Sequence, residues 1–203
     1  VAGAATAIGA LTTKAIEGYA AQEQLVGGVE TLFKTSSDTV VGYANDAYKT
    51  AGMSANEYME TVTSFSASLL ASMNNDTAAA AEKANVAITD MSDNANKMGT
   101  DISLIQNAYN GFAKQNYTML DNLKLGYGGT KEEMQRLLDD ASKLSGIKYD
   151  ISSYSDVVDA IHVVQTEMGI TGTTAKEAST TIEGSVSSMS SAWDNWVAGM
   201  ADS

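Results

Sequence analysis

None of the 203 residues is proline, and this absence constrains the fold more than any other feature. A proline inside a helix costs about 3 kcal/mol, so this chain can form long or numerous helices. Glycine supplies the breaks: Gly52, Gly99, Gly146 and Gly169 each follow a stretch in which apolar residues recur every three or four positions. The pattern predicts an all-α fold, a multi-helix bundle of about seven or eight helices with glycine-stopped connections.

Capping residues predict where the helices begin. In a capping box a Ser or Thr hydroxyl accepts a hydrogen bond from a free backbone N–H, and a Glu three residues later reaches back. The three predicted boxes are Ser54/Glu57, Thr130/Glu133 and Thr174/Glu177. Further predicted starts are Ser37 or Asp38 for a helix over 39–51, Asp76 for a helix ending at Met98, Asp101, and Ser153 or Ser155.

Apolar stripes at helical spacing predict which side chains form the core. The expected stripes are Leu11, Ala15, Tyr19, Val26, Val29 and Phe33; Tyr58, Val62, Phe65, Leu69 and Met73; Ile102, Ile105, Tyr109 and Phe112; Met134, Leu137, Leu138, Ala141 and Leu144; and Val157, Ile161, Val164 and Met168.

Three stretches are less regular. Gly27-Gly28 is expected to kink or split the first helix, predicted over 4–34. Asn110-Gly111 resembles a hairpin turn, but no alternating strand pattern flanks it, so a glycine tolerated in a helix is expected. Residues 114–125 are expected to continue that helix less regularly.

We predict three parts: an N-terminal helix over 1–36, a helical core over 37–170, and a coiled-coil-like helix over 171–203. The N-terminal helix is interpreted as one that can extend from an upstream apolar or helical region. The C-terminal seam comprises Val186, Met189, Trp193, Trp196 and Met200, at alternating three- and four-residue steps. Trp193 and Trp196 are interpreted as core or seam residues, since a ligand platform is the rarer use of such a pair.

Charge and cysteine content exclude several classes of function. Twelve basic residues against 25 acidic ones give a formal charge of −13, and the only arginine is Arg136. Direct nucleic-acid binding, which needs Lys/Arg clusters, is therefore not expected. The absence of cysteine excludes a disulfide scaffold and thiolate chemistry.

The sequence contains few residues of the types that form catalytic or metal sites, with one histidine and no cysteine. We predict no catalytic, cofactor-binding or metal site. His162 is the only histidine and is interpreted as a half-buried or surface helix residue. The pairs Glu132-Glu133 and Asp139-Asp140 diverge on a helix and are assigned to capping and solvation. The stretch containing Asp90, Asp93, Asn94 and Asn96 lacks the order of a calcium loop.

A glycine-rich loop over 125–131 lacks the spacing of a phosphate-binding loop and is interpreted as a flexible turn before a capped helix. Its Tyr127 is either an exposed contact residue or folded back onto the bundle. The triplets at Asn75 and Asn116 match the glycosylation pattern, which often occurs by chance.

Four segments, in order along the chain, are similar to bacteriophage or prophage tail tape measure proteins. They are 24–33 (QLVGGVETLF), 48–60 (YKTAGMSANEYME), 107–138 (NAYNGFAKQNYTMLDNLKLGYGGTKEEMQRLL) and 180–189 (TTIEGSVSSM). The resemblance covers roughly residues 15–202, and the chains of that family are far longer than this one.

The resemblance implies a non-catalytic virion component without cofactors, which sets tail length during assembly, lies in the tube lumen and takes part in genome ejection. It implies contacts with the tail tube protein, tail tip or baseplate proteins and tail assembly chaperones. Self-association is a further option, and membrane contact is expected only through regions outside this segment. The alternative function is a secreted helical effector or adhesin-like module without catalysis.

Overall fold

The computed structural model of the chain describes residues 20–180 and 188–195, and all regular structure within them is helical. The predicted all-α bundle is therefore confirmed. Eight α-helices occupy residues 20–180. They are α1 (20–33), α2 (Ser37–Thr50), α3 (Ala55–Ser72), α4 (Thr77–Met98), α5 (Ile102–Phe112), α6 (Lys131–Ser145), α7 (Tyr154–Glu167) and α8 (Thr173–Thr180). Two 3₁₀ turns, Lys34–Ser36 and Leu120–Leu123, and a helical stretch over 188–195 complete the described residues.

Side-chain caps fix several helix starts where the sequence predicts them. The Ser54 hydroxyl accepts from the Glu57 N–H, and Asp76 and Asp101 accept from N–H groups in the first turns of α4 and α5. Gly99 and Gly146 end α4 and α6 with φ values of 62° and 75°, in the left-handed region that a Cβ disfavours. These boundaries confirm that local chemistry sets the lengths of the central helices.

The start of α2 differs from the prediction. Ser37 and Asp38 lie inside the helix, and Ser36 occupies the N-cap position without a capping hydrogen bond. The Ser36 hydroxyl instead bonds the Thr77 hydroxyl at 3.0 Å. Thus a contact with α4 replaces the local cap. Upstream, α1 continues through Gly27 and Gly28 without a break, so of the predicted kink or split the split is wrong. Residues 1–19 lie outside the described part of the chain.

Helix α4 lies at the centre of the bundle and packs against α2, α3, α5, α7 and α8. Its inward alanines Ala80, Ala81, Ala84 and Ala87 are fully buried. Small side chains let neighbouring helices approach closely, and the larger aromatics of the other helices fill the remaining volume. Val29 and Phe33 of α1 belong to the same core.

The predicted stripes of α3, α6 and α7 form this core, apart from their last members. Leu144 and Met168 are 51% and 45% exposed, and Met73 is only partly buried. These positions lie at or beyond the last turn, where the neighbouring helix no longer covers the stripe. Met189 and Trp193 of the predicted C-terminal seam are 73% and 57% exposed, while Val186, Trp196 and Met200 lie outside the described residues.

Residues 114–125 do not continue α5, so that prediction is wrong. The helix includes Gly111, as expected, but ends at Phe112. Gln115 adopts a left-handed φ of 57°, and the Asn116 N–H returns to the Gly111 carbonyl. Tyr117 then stacks on Phe112 with ring centroids 6.0 Å apart. Aromatic packing therefore favours a reversal over further helix.

Candidate functional site

The middle of α4 carries polar side chains that are almost completely buried. Asp90 is 1% exposed, and Asp93 and Asn94 are 0% exposed. This stretch lacks the residue order of a calcium loop, and its burial was not predicted from the sequence. Because a buried charge is costly unless it is paired and hydrogen-bonded, the partners of these three residues define the candidate site, called here the α4 polar core.

Asp90 pairs with the only histidine of the chain. His162 of α7 places Nδ1 3.0 and 2.9 Å from the two carboxylate oxygens of Asp90. The His162 side chain is 38% exposed, which agrees with the half-buried helix position predicted for it. The hydrogen bond that His162 makes to the Asp90 carboxylate raises the pKa of His162, whereas burial raises the pKa of Asp90. Asp90 and His162 are separated by 72 residue numbers, so their pairing has no signature in the local sequence.

Asp93 holds the start of α8. Its carboxylate accepts hydrogen bonds from the backbone N–H of Gly172 at 2.6 Å and of Thr174 at 2.8 Å. The predicted Thr174/Glu177 capping box is therefore wrong: α8 begins at Thr173, and Asp93 caps it from another helix. A fully buried carboxylate bonding two N–H groups at a helix N-terminus replaces the local hydroxyl.

Asn94 completes the polar core. Its side-chain amide donates to the Leu123 carbonyl at 3.0 Å and to the Gln165 side-chain oxygen at 2.8 Å. Gln165, fully buried on α7, also donates to the Asp90 carbonyl at 3.5 Å. Asn94 and Gln165 thus join α4 to α7 and to the second 3₁₀ turn.

The hydrogen bonds of the α4 polar core connect α4 to α7, to α8 and to the second 3₁₀ turn. A His–Asp pair can transfer protons when the second ring nitrogen faces a nucleophile, but among the described residues His162 bonds no hydroxyl. Within that part of the chain, no group of three or more His, Asp and Glu side chains is arranged to hold a metal ion. Beside the pair, Lys83 and Asp159 form a second ion pair between α4 and α7.

The glycine-rich loop leads into the capped helix α6, as expected, and Tyr127 folds back onto that helix. The Tyr127 hydroxyl donates to Asp140 at 3.1 Å, and the Arg136 guanidinium lies 4.3 Å from the Tyr127 ring centroid. The Gly128 N–H, which a phosphate would need, donates to Glu133 at 3.0 Å. Hydrogen bonds from Arg136 and from that N–H lower the pKa of Glu133 to about 2.

The described residues contain no helix long and apolar enough to cross a membrane. No family model, curated protein or solved structure matches the chain.

Proposed function

We propose that the chain is an internal segment of a phage or prophage tail tape measure protein, acting as a non-catalytic component of tail assembly and genome ejection. The observation that carries this proposal is the resemblance of four ordered segments, the longest spanning residues 107–138. Three of these segments lie in α1, across the α2–α3 connection and in the α5–α6 region, and residues 181–187 of the fourth lie outside the described part of the chain. The resemblance is therefore spread across the bundle.

The character of the α4 polar core supports a structural role. Its contacts, from Asp90 to His162 and from Asp93 to the start of α8, connect helices distant in sequence. Buried polar groups of this kind favour one specific packing arrangement at some cost in stability. A component that must assemble in a defined way benefits from such specificity.

The dimensions favour a compact module over a length of rod. One uninterrupted helix of 203 residues would span roughly 300 Å. The longest helix described, α4, has 22 residues and spans roughly 33 Å. A folded chain of this length has a radius of gyration of roughly 17 Å. We therefore infer that this segment forms a folded module of the ruler protein, positioned in the tail lumen or near its tip.

Two measurements on phage particles test the proposal. Mass spectrometry of purified tails is expected to detect peptides of this chain. An in-frame deletion of residues 20–195 in the parent gene is expected to give shortened or malformed tails, or tails that fail to deliver DNA, in electron micrographs and infection assays. A deletion strain with normal tails and normal infectivity would contradict the assigned role.

A further inference from the structure

A cleft of about 330 Å³ opens between α4, α8 and the α2–α3 connection, and the polar core does not use it. Its apolar lining includes Met53, Ala95 and Ile102, and its polar lining includes Ser92, Thr174 and Glu57. Glu177 also lines it. We call it the α4–α8 cleft. Its volume falls within the range of pockets that bind small molecules or single side chains.

Two hydroxyl groups in the cleft lack hydrogen-bond partners within residues 20–180 and 188–195. Ser92 is 5% exposed, and its hydroxyl forms no hydrogen bond among the described residues. The buried Thr174 hydroxyl likewise forms no hydrogen bond among the described residues. Leaving a buried polar atom unpaired is unfavourable, so each hydroxyl can accept a hydrogen bond from a bound polar group.

The charged side chains around these hydroxyls indicate which kind of ligand group can bind there. Glu57 and Glu177 supply carboxylates, whereas the described lining contains no Lys, Arg or His. An ammonium group has three donors and no acceptor, which suits a carboxylate and two hydroxyl oxygens. The methylenes of an alkyl stem would pack against Met53, Ala95 and Ile102, as lysine stems do on apolar surfaces.

We propose that the α4–α8 cleft binds a primary ammonium group on a short alkyl stem, the chemistry shared by a lysine side chain of a partner protein and a free alkylamine. This inference does not depend on the proposed tail function. The ligand enters between two carboxylates, and its nitrogen donates to the hydroxyls of Ser92 and Thr174.

Titration of the isotope-labelled 203-residue chain, followed by amide chemical shifts, tests the proposal. Butylamine and Nα-acetyl-lysine methylamide are the probes, and butanol is the neutral control. Millimolar dissociation constants are expected for the amines, with shifts at Gly52, Ala95 and Ala178. Binding of both amines supports a lysine-bearing partner, and binding of butylamine alone supports a free amine. Equal shifts with butanol, or no saturable shifts, would overturn the proposal.

Variants separate binding from folding. Glu57→Gln keeps the capping box, because glutamine serves at that position, and Ser92→Ala keeps the helix. Each is expected to weaken amine binding about fivefold, the effect of one lost hydrogen bond of about 1 kcal/mol. Glu60→Gln, one turn further along α3 and outside the described cleft lining, is the matched control. Unchanged affinity in both Glu57→Gln and Ser92→Ala would refute the assignment.

Discussion

At the scale of single residues, His162 and Gly129 depend most on their surroundings. His162 is joined to a carboxylate that is 1% exposed. Gly129 lies so close to the preceding turn that a Cβ there would be 2.2 Å from the Thr118 carbonyl oxygen. We therefore expect His162 to make the stability of the fold depend on pH, and Gly129 to be intolerant of an added methyl group.

The Asp90–His162 pair predicts that stability falls as pH rises. Asp90 raises the pKa of His162, so the histidine contributes fully below its unfolded pKa of about 6.5, and this contribution is lost as pH rises through the folded pKa. Burial raises the pKa of Asp90, so ionisation of that carboxyl also disfavours the fold as pH rises above its ordinary range.

The variant His162→Gln is expected to lower Tm at pH 6 by about 2–4 °C, corresponding to about 1 kcal/mol for this partly exposed pair. At pH 9 the difference from the unsubstituted chain is expected to shrink. Thermal denaturation followed by circular dichroism at both pH values measures it. A difference that is equal at pH 6 and pH 9 would contradict the pairing.

Gly129→Ala is expected to destabilise the chain by about 2 kcal/mol or more, because backbone must move to admit the Cβ. Gly128→Ala is the matched control, since its Cβ would lie 3.5 Å from Glu133 Cγ, an ordinary contact. Urea denaturation of the two variants gives the comparison. Equal midpoints for both variants would show that the turn yields easily at residue 129.

At the scale of elements, helix limits followed from local chemistry wherever the cap is a neighbour in sequence. Ser54, Asp76 and Thr130 cap the helices predicted for them. The starts of α2 and α8 were predicted wrongly, because their partners, Thr77 and Asp93, are distant in the chain. Sequence spacing contains no information about such contacts.

Helix α8 is expected to be the least firmly held of the helices in 20–180. It has no buried residue. At its start, the N–H groups of Gly172 and Thr174 donate hydrogen bonds to Asp93 of α4. Asp93→Ala is therefore expected to speed amide hydrogen exchange in residues 171–180 by tenfold or more, since about 1–3 kcal/mol of hydrogen bonding is lost.

Asp101→Ala is the control, because it removes an exposed cap from α5 and leaves α8 untouched. Its effect on exchange is expected to be confined to the first turn of α5. Slow exchange of 171–180 in Asp93→Ala would show that other contacts hold α8.

At the scale of the whole molecule, helical periodicity and the absence of proline were sufficient to predict an all-α bundle. The α4 polar core was not predicted from the sequence. Aspartate and asparagine are residue types usually found on protein surfaces. The packing of α7 and α8 around α4 is what buries Asp90, Asp93 and Asn94. Function was inferred from resemblance, since neither periodicity nor charge points to a tail protein.

We propose that this segment is a folded module of a tail tape measure protein. The most direct test is to insert a second copy of residues 20–195 in frame in the parent gene and measure tail lengths by electron microscopy. If the segment is a folded module, tails are expected to lengthen by no more than about 50 Å, the size of one such module. Lengthening by roughly 260 Å, the rise of a continuous helix of those residues, would contradict it.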